Sequence, residues 1–170
     1  MKLDKLWDGL KRIANGDYVL EGNLICEEDL IIELDDRLVV KGKIEVKKSI
    51  KAGCGIEAGC GINAGEGIKA GCGIKAGEGI EAGWGIEAGW GIKAGWGIEA
   101  KTFIHSEKRI FAGVSVYRTS ENCKKTIKCA ELRKGEICYG DLIIEQPVIE
   151  MTIAEIEQKL GIKNLKIKEQ

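Results

Sequence analysis

The sequence predicts a mainly β protein: a parallel β-solenoid (β-helix) of six-residue repeats, with a short N-terminal capping helix and a C-terminal helix-strand appendage. Three observations carry that expectation. The run from Ile50 to Ala100 repeats Ile-x-Ala-Gly-x-Gly every six residues without interruption. Six residues are too few to bury anything alone, so such a unit gains a core only by coiling and stacking on its neighbours. The parity within the unit is that of a strand, in which residues i and i+2 share a face. Ile56 and Ala58 therefore point inward and Glu57 faces water. The middle position holds Glu57, Asn63, Lys69, Lys75, Glu81, Glu87, Lys93 and Glu99, none of them apolar, as an outward position demands. The chain divides into a capping helix over 1–16, the solenoid over 17–146 and the appendage over 147–170.

The glycine after each Ala suits a corner of positive φ, where a Cβ would be penalised. Between the two glycines lies one variable slot, filled in order by Cys54, Cys60, Glu66, Cys72, Glu78, Trp84, Trp90 and Trp96. A slot that accepts Glu and Trp alike belongs on an outer corner. Coil length decides which of these residues become neighbours. Eighteen residues per coil give a triangular section with columns Cys54/Cys72/Trp90, Cys60/Glu78/Trp96 and Glu66/Trp84. Twelve give a flat section with Trp84 over Trp96. The outward charges favour twelve, because that spacing reads Glu57/Lys69/Glu81/Lys93, whereas eighteen sets Lys75 beside Lys93 and Glu81 beside Glu99. Exposed pairs contribute only about 0.2–1 kcal/mol each, and a flat coil has a thin core. The triangular form is the one expected, with the flat form and the handedness left open.

At the N-terminus Leu3, Leu6, Leu10 and Ile13 recur at helical spacing, and Asn15-Gly16 supplies a stop signal. A helix there would cap the open end of the solenoid, whose bare strand edges otherwise invite other chains, with Trp7 joining the cap. The inward beat starts before the glycine array, at Leu24, Leu30, Leu38, Ile44 and Ile50, with Cys26, Ile32, Val40, Val46 and Ala52 two places on. The step from Leu30 to Leu38 is eight residues, so Asp35-Asp36 bulge at a corner as a solvated loop. After Ala100 the beat continues at Ile104, Ile110 and Val116. Residues Arg118 to Lys125 read as a polar surface loop, and Ile127, Leu132, Ile137 and Leu142 carry later strands. Near the end Thr152 and Glu155 have capping-box spacing before Ile153, Ile156 and Leu160, with Gly161 as the stop, which predicts a helix over about 153–160. Ile162, Leu165 and Ile167 then suggest a strand or extended arm, able to close the solenoid or dock a second subunit.

The chain has 26 basic and 27 acidic residues and a net charge of −1, which makes no electrostatic case for nucleic acid or an anionic membrane. Seven cysteines, an odd number, with no secretory signal and no spanning apolar run, point to free thiols in a cytoplasmic setting.

The array AGxGIx, the flanks GDYVLEGNL (16–24), RIFAGVSVYR (109–118) and TIKCAELRKGEICYGDL (126–142), and the ending MTIAEIEQKLG (151–161) resemble a family of small β-solenoid proteins encoded by phages and prophages of Firmicute bacteria. The array is similar, more loosely, to bactofilin-type cytoskeletal solenoids, which lack the glycine-and-Trp corners. The resemblance implies a phage gene acting inside a bacterial cell and carries no catalytic motif.

Three chemistries are conceivable for these residue types. Some hexapeptide solenoids are acyltransferases that use a histidine. The only histidine here, His105, sits at an outward position with no acid paired to it by spacing, and the Trp slot departs from the small residue those enzymes favour. Neither Cys54, Cys60 and Cys72 nor Cys123, Cys129 and Cys138 has zinc-ligand spacing, so no metal and no cofactor is expected. The Trp run is the third: Trp84, Trp90 and Trp96, with Lys93 and Glu99 on the strands between and beyond them, form the expected partner-binding site, because exposed aromatics anchor interfaces. The alternative is that the rings fold back and pack against the solenoid. The chain is therefore expected to be a non-enzymatic protein-binding solenoid that binds and inhibits a host bacterial protein, with a defence nuclease such as a CRISPR effector as the specific expectation. The runner-up is a scaffold that self-assembles into dimers or filaments. Replacing the three Trp by Ala is expected to weaken binding and spare the fold.

Overall fold

The structure is a computed structural model in which residues 1–114 and 125–145 are described. The described residues form strands and turns only. Seven short strands come first: β1 (Lys2–Asp4), β2 (Leu10–Arg12), β3 (Tyr18–Leu20), β4 (Leu24–Cys26), β5 (Leu30–Glu33), β6 (Leu38–Val40) and β7 (Ile44–Val46). The glycine array then makes one strand per repeat: β8 (Ile50–Ala52), β9 (Ile56–Ala58), β10 (Ile62–Ala64), β11 (Ile68–Ala70), β12 (Ile74–Ala76), β13 (Ile80–Ala82), β14 (Ile86–Ala88), β15 (Ile92–Ala94) and β16 (Ile98–Ala100). Beyond it lie β17 (Phe103–Phe111), β18 (Thr126–Cys129), β19 (Glu131–Tyr139) and β20 (Asp141–Ile144). Each array strand buries its Ile and its Ala and turns the residue between them outward, so the pleat delivers the expected parity.

The strands stack in three parallel columns. One runs β1-β5-β8-β11-β14-β17, the second β3-β6-β9-β12-β15-β17 and the third β4-β7-β10-β13-β16-β18-β20. Ile50 stands opposite Ile68, and Ile68 opposite Ile86, so one coil is eighteen residues and the section is triangular. The like-charged pairs that spoke for twelve do occur: Lys75 faces Lys93 and Glu81 faces Glu99. They are outweighed. Taking an Ile fully out of water is worth about 1.5–3 kcal/mol, and a third wall leaves the array Ile at 0–1% exposure. Opposite charges one coil apart offset part of the cost, with Lys75 Nζ 2.5 Å from Glu57 and Lys69 Nζ 2.7 Å from Glu87.

The lower coils are longer. Leu24 pairs with Ile44 and Leu30 with Ile50, a step of twenty. The two extra residues are absorbed at the Asp35-Asp36 corner between β5 and β6, as the eight-residue spacing predicts. There the Tyr18 hydroxyl donates to Asp35 Oδ1 at 2.6 Å, and Arg37 bridges Asp17 at 2.6 Å and Glu57 at 2.9 Å.

The array glycines serve a different purpose from the one expected. Positive φ occurs at Gly9, Gly16, Gly22, Gly113, Gly135 and Gly140, all outside the array. Within it, close approach is what demands glycine: a Cβ on Gly71, Gly77 or Gly83 would overlap the carbonyl oxygen of Gly53, Gly59 or Gly65 one coil below.

The N-terminal capping helix predicted over 1–16 is not formed. β1 instead adds to β5, with Leu3 opposite Ile32, and β2 pairs antiparallel with β3 through a hairpin whose turn contains Asn15-Gly16, with Gly16 at φ 97°. The Asn-Gly pair that reads as a helix stop is equally a hairpin turn. An isolated helix this short is marginal, whereas two strand edges of the first coil offer ready backbone partners. Leu6, on the supposed apolar face, is 87% exposed, while Trp7 does pack against the core end. The predicted C-terminal helix-strand appendage over 147–170 and most of the 118–125 loop lie outside the described residues.

Candidate functional site

The tryptophans follow from the coil length. Trp84 N–H donates to the Glu66 carbonyl at 3.1 Å, Trp90 to Cys72 at 3.2 Å and Trp96 to Glu78 at 3.2 Å, so each sits above the slot residue eighteen places earlier. Because β14 lies between Trp84 and Trp90, and β15 between Trp90 and Trp96, the three occupy the three different corners of one coil. They form a girdle and not a single patch. Trp84 is 64% exposed and Trp90 60%, whereas Trp96 is drawn in to 38%. The rings of Trp84 and Trp90 stand out from the solenoid instead of folding back over it.

Trp90 borders a groove of about 940 Å³, which follows this corner across successive coils. Its floor is Cys54, Cys72 and the backbone of the glycine corners, and its sides carry Arg37, Lys75, Lys93, Lys108, Arg109 and Lys134 against Asp36, Glu107 and Glu136. Several of these cations are already neutralised. Arg37 is held by Asp17 and Glu57, Lys75 by Glu57, Lys134 by Glu107 and, more loosely, Arg109 by Glu136 at 3.7 Å. Lys93 and Lys108 make no ion pair among the described residues. Lys108 Nζ instead stands 4.9 Å from the centre of the Trp90 ring, a cation–π contact. One uncompensated cation thus stands over the exposed ring, and a second, Lys93, lines the same groove.

The corner is stiff. The Trp90 carbonyl accepts from the Lys108 N–H at 2.8 Å and from the Ser106 hydroxyl at 2.7 Å. Ser106 is fully buried and stands opposite Ala88, where the pattern calls for a small inward residue. Ser106 and Lys108 were not singled out by sequence reasoning. Their eighteen-residue offsets from Ala88 and Trp90 were the available signal, visible once the coil length is known.

The remaining expected site residues separate. Lys93, outward on β15, shares the groove with Trp90, but Glu99, outward on β16, lies on the next face. There Glu99 and Trp96 border a small groove of about 190 Å³ with Lys128. Trp96 also edges a groove of about 500 Å³ lined by Glu45, Glu78 and Glu81 against Lys43, so its surroundings are acidic. Trp84 is on the third corner, next to Gly85, whose open side is covered by the Phe103 ring with Arg133 stacked on it at 3.6 Å.

His105 does have an acid partner, contrary to the expectation from spacing. Its Nε2 is 2.8 Å from Glu107 Oε1, because β17 is a nine-residue strand that returns i and i+2 to one face. Lys134 and then His105 hold the Glu107 carboxyl below its ordinary value. No helix among the described residues is long and apolar enough to cross a membrane. Compared with known proteins, the chain matches no family model, no curated protein and no solved structure, so the reading of its surface rests on these residues.

Proposed function

We propose that this solenoid is a non-enzymatic binding protein whose contact surface centres on the Trp90 corner and takes an acidic surface of a partner protein. The observation that carries the reading is the exposed Trp90 ring with Lys108 against it, at the edge of a 940 Å³ groove that Lys93 also lines, both cations being without carboxylate partners among the described residues. Large aromatics beside cations are the residues that most often anchor interfaces. A corner pinned by Ser106 and stacked on a regular ladder loses little conformational freedom on binding. Lys93 stands opposite Lys75, whose charge is taken by Glu57, so Lys93 is left to pair with an incoming carboxylate.

The finer reading is that the partner is a host bacterial protein, with a defence nuclease such as a CRISPR effector as the specific candidate, and that binding inhibits it. Its support is the resemblance of the array and flanks to phage-encoded solenoids. The test starts from the intact protein as bait in an extract of a Firmicute host, after which the captured partner is purified and titrated against single Trp variants. Trp90→Ala is expected to weaken binding by about thirtyfold, the equivalent of about 2 kcal/mol, with β-rich circular dichroism retained. Affinity unchanged by Trp84→Ala, Trp90→Ala and Trp96→Ala would dismiss the reading.

Self-assembly is the second reading, and one observation favours it. β4 ends its sheet, and no strand among the described residues pairs with its outer edge, where Ile25 is 56% exposed. Open edges are templates for another chain. Mass in solution that grows with concentration would support this reading, and a constant monomer mass would discard it.

A further inference from the structure

We propose that Cys54 and Cys72 form a reversible disulfide that staples two consecutive coils at the floor of the Trp90 groove. The coil brings them together. On one side of their corner Ala52 stands opposite Ala70, and on the other Ile56 stands opposite Ile74, so the Gly-Cys-Gly corners of the two coils are stacked in register. The Cys72 N–H donates to the Cys54 carbonyl at 3.4 Å. Neighbouring parallel chains lie about 4.8 Å apart, inside the roughly 4.4–6.8 Å range of Cα separations that a disulfide bridges. Glycine on both sides of each cysteine gives these corners the freedom to tilt their Cβ atoms from strand spacing to the shorter separation the bond needs.

Both thiols are half-buried and line the groove, so a small reagent reaches them. No other stacked pair occurs among the described cysteines. Cys60 has Glu78 above it, Cys26 stands opposite Val46, Cys129 stands opposite Ile144, and Cys138 lies on the exposed β19. Burial first, and then the neighbouring Cys72, push the Cys54 thiol above its ordinary value. Exchange needs the thiolate, so closure of the bond is expected to speed up as pH rises.

The oxidant is a low-molecular-weight disulfide such as oxidised glutathione. One protein thiolate attacks a sulfur of that disulfide, forming a mixed disulfide and releasing one small thiol. The second protein thiolate then attacks the protein sulfur of the mixed disulfide, closing Cys54–Cys72 and releasing the second small thiol. Two protein thiols lose two hydrogens and one small disulfide becomes two thiols. Lys93, unpaired among the described residues, lines the groove and suits an incoming molecule that carries carboxylates.

The full-length folded protein is titrated with oxidised glutathione, the remaining thiols are alkylated, and the product is examined by intact mass and tryptic mapping. The expected product has lost two hydrogens through a link between peptide 52–69 and peptide 70–75, and excess reduced thiol restores it. Cys60→Ser, which leaves Cys54 as the only cysteine in 52–69, is expected to give the same link. Cys54→Ser and Cys72→Ser are expected to stop at a mixed disulfide. Wild-type protein in which Cys54 and Cys72 stay open to alkylation, stop at glutathione adducts, or in which the link maps to another pair, would overturn the proposal without relying on any variant.

Discussion

At Gly77 a single methyl group decides whether two coils touch. A Cβ there would overlap the Gly59 carbonyl, whereas at Gly53 the nearest atom to an added Cβ is the Leu34 carbonyl oxygen at 3.9 Å, and neither residue has positive φ. The two glycines are identical in the sequence and opposite in their tolerance. Gly77→Ala is expected to cost about 1–3 kcal/mol through overpacking. Gly53→Ala is expected to stabilise by about 0.4–1 kcal/mol, because it only restricts the unfolded chain. Urea unfolding of the two variants checks both, and equal effects would refute the close-approach account. The presence of glycine at corners was legible in the repeat. Its reason was not, because a one-dimensional pattern does not display what lies one coil below.

Among the elements, the β2–β3 hairpin and the Asp35-Asp36 corner form one polar assembly around Arg37. The Asp17 carboxyl is buried, and its hydrogen bond to Arg37 holds it below its ordinary value. A carboxyl depressed in the folded state adds stability above its unfolded value, near pH 4, and that stability is lost as pH falls through the folded value. Asp17→Asn is therefore expected to cost about 1 kcal/mol at neutral pH, a figure kept low because Arg37 is partly exposed. The variant is also expected to flatten the loss of stability below about pH 4; thermal melts of both proteins from pH 7 to pH 3 measure it. An acid limb as steep in the variant as in the wild type would contradict the assignment. This is also where helical spacing misled. Leu3 is buried on β1, Leu10 is half-buried on β2 and Leu6 is exposed, so residues that share a helical face are distributed over two strands and a turn. Strand edges of the first coil supplied hydrogen-bond partners that local periodicity does not register.

For the whole molecule, coil length controls every functional argument. It places the three Trp on three corners, sets Lys93 over Lys75, brings Lys108 onto Trp90 and stacks Cys54 with Cys72. Lys93 was legible as an outward position from parity, and the Trp residues as corner positions from a slot that accepts Glu and Trp alike. The groove was not, because Arg37, Lys108 and Lys134 reach it from other coils and their alignment depends on the two-residue insertion and on the bulged pairing of β17 with β19. The most direct test attaches nitroxide labels through ketone-bearing residues, which avoids the native thiols, at positions 75 and 93 in one protein and at 75 and 87 in another. Residues 75 and 93 are opposite each other on β12 and β15, while 87 lies on β14 of a different column. Strong dipolar broadening for 75/93 with none for 75/87 is the expected result. Broadening for 75/87 and not for 75/93 would mean a twelve-residue coil, and with it the girdle, the groove and the thiol pair would all be lost.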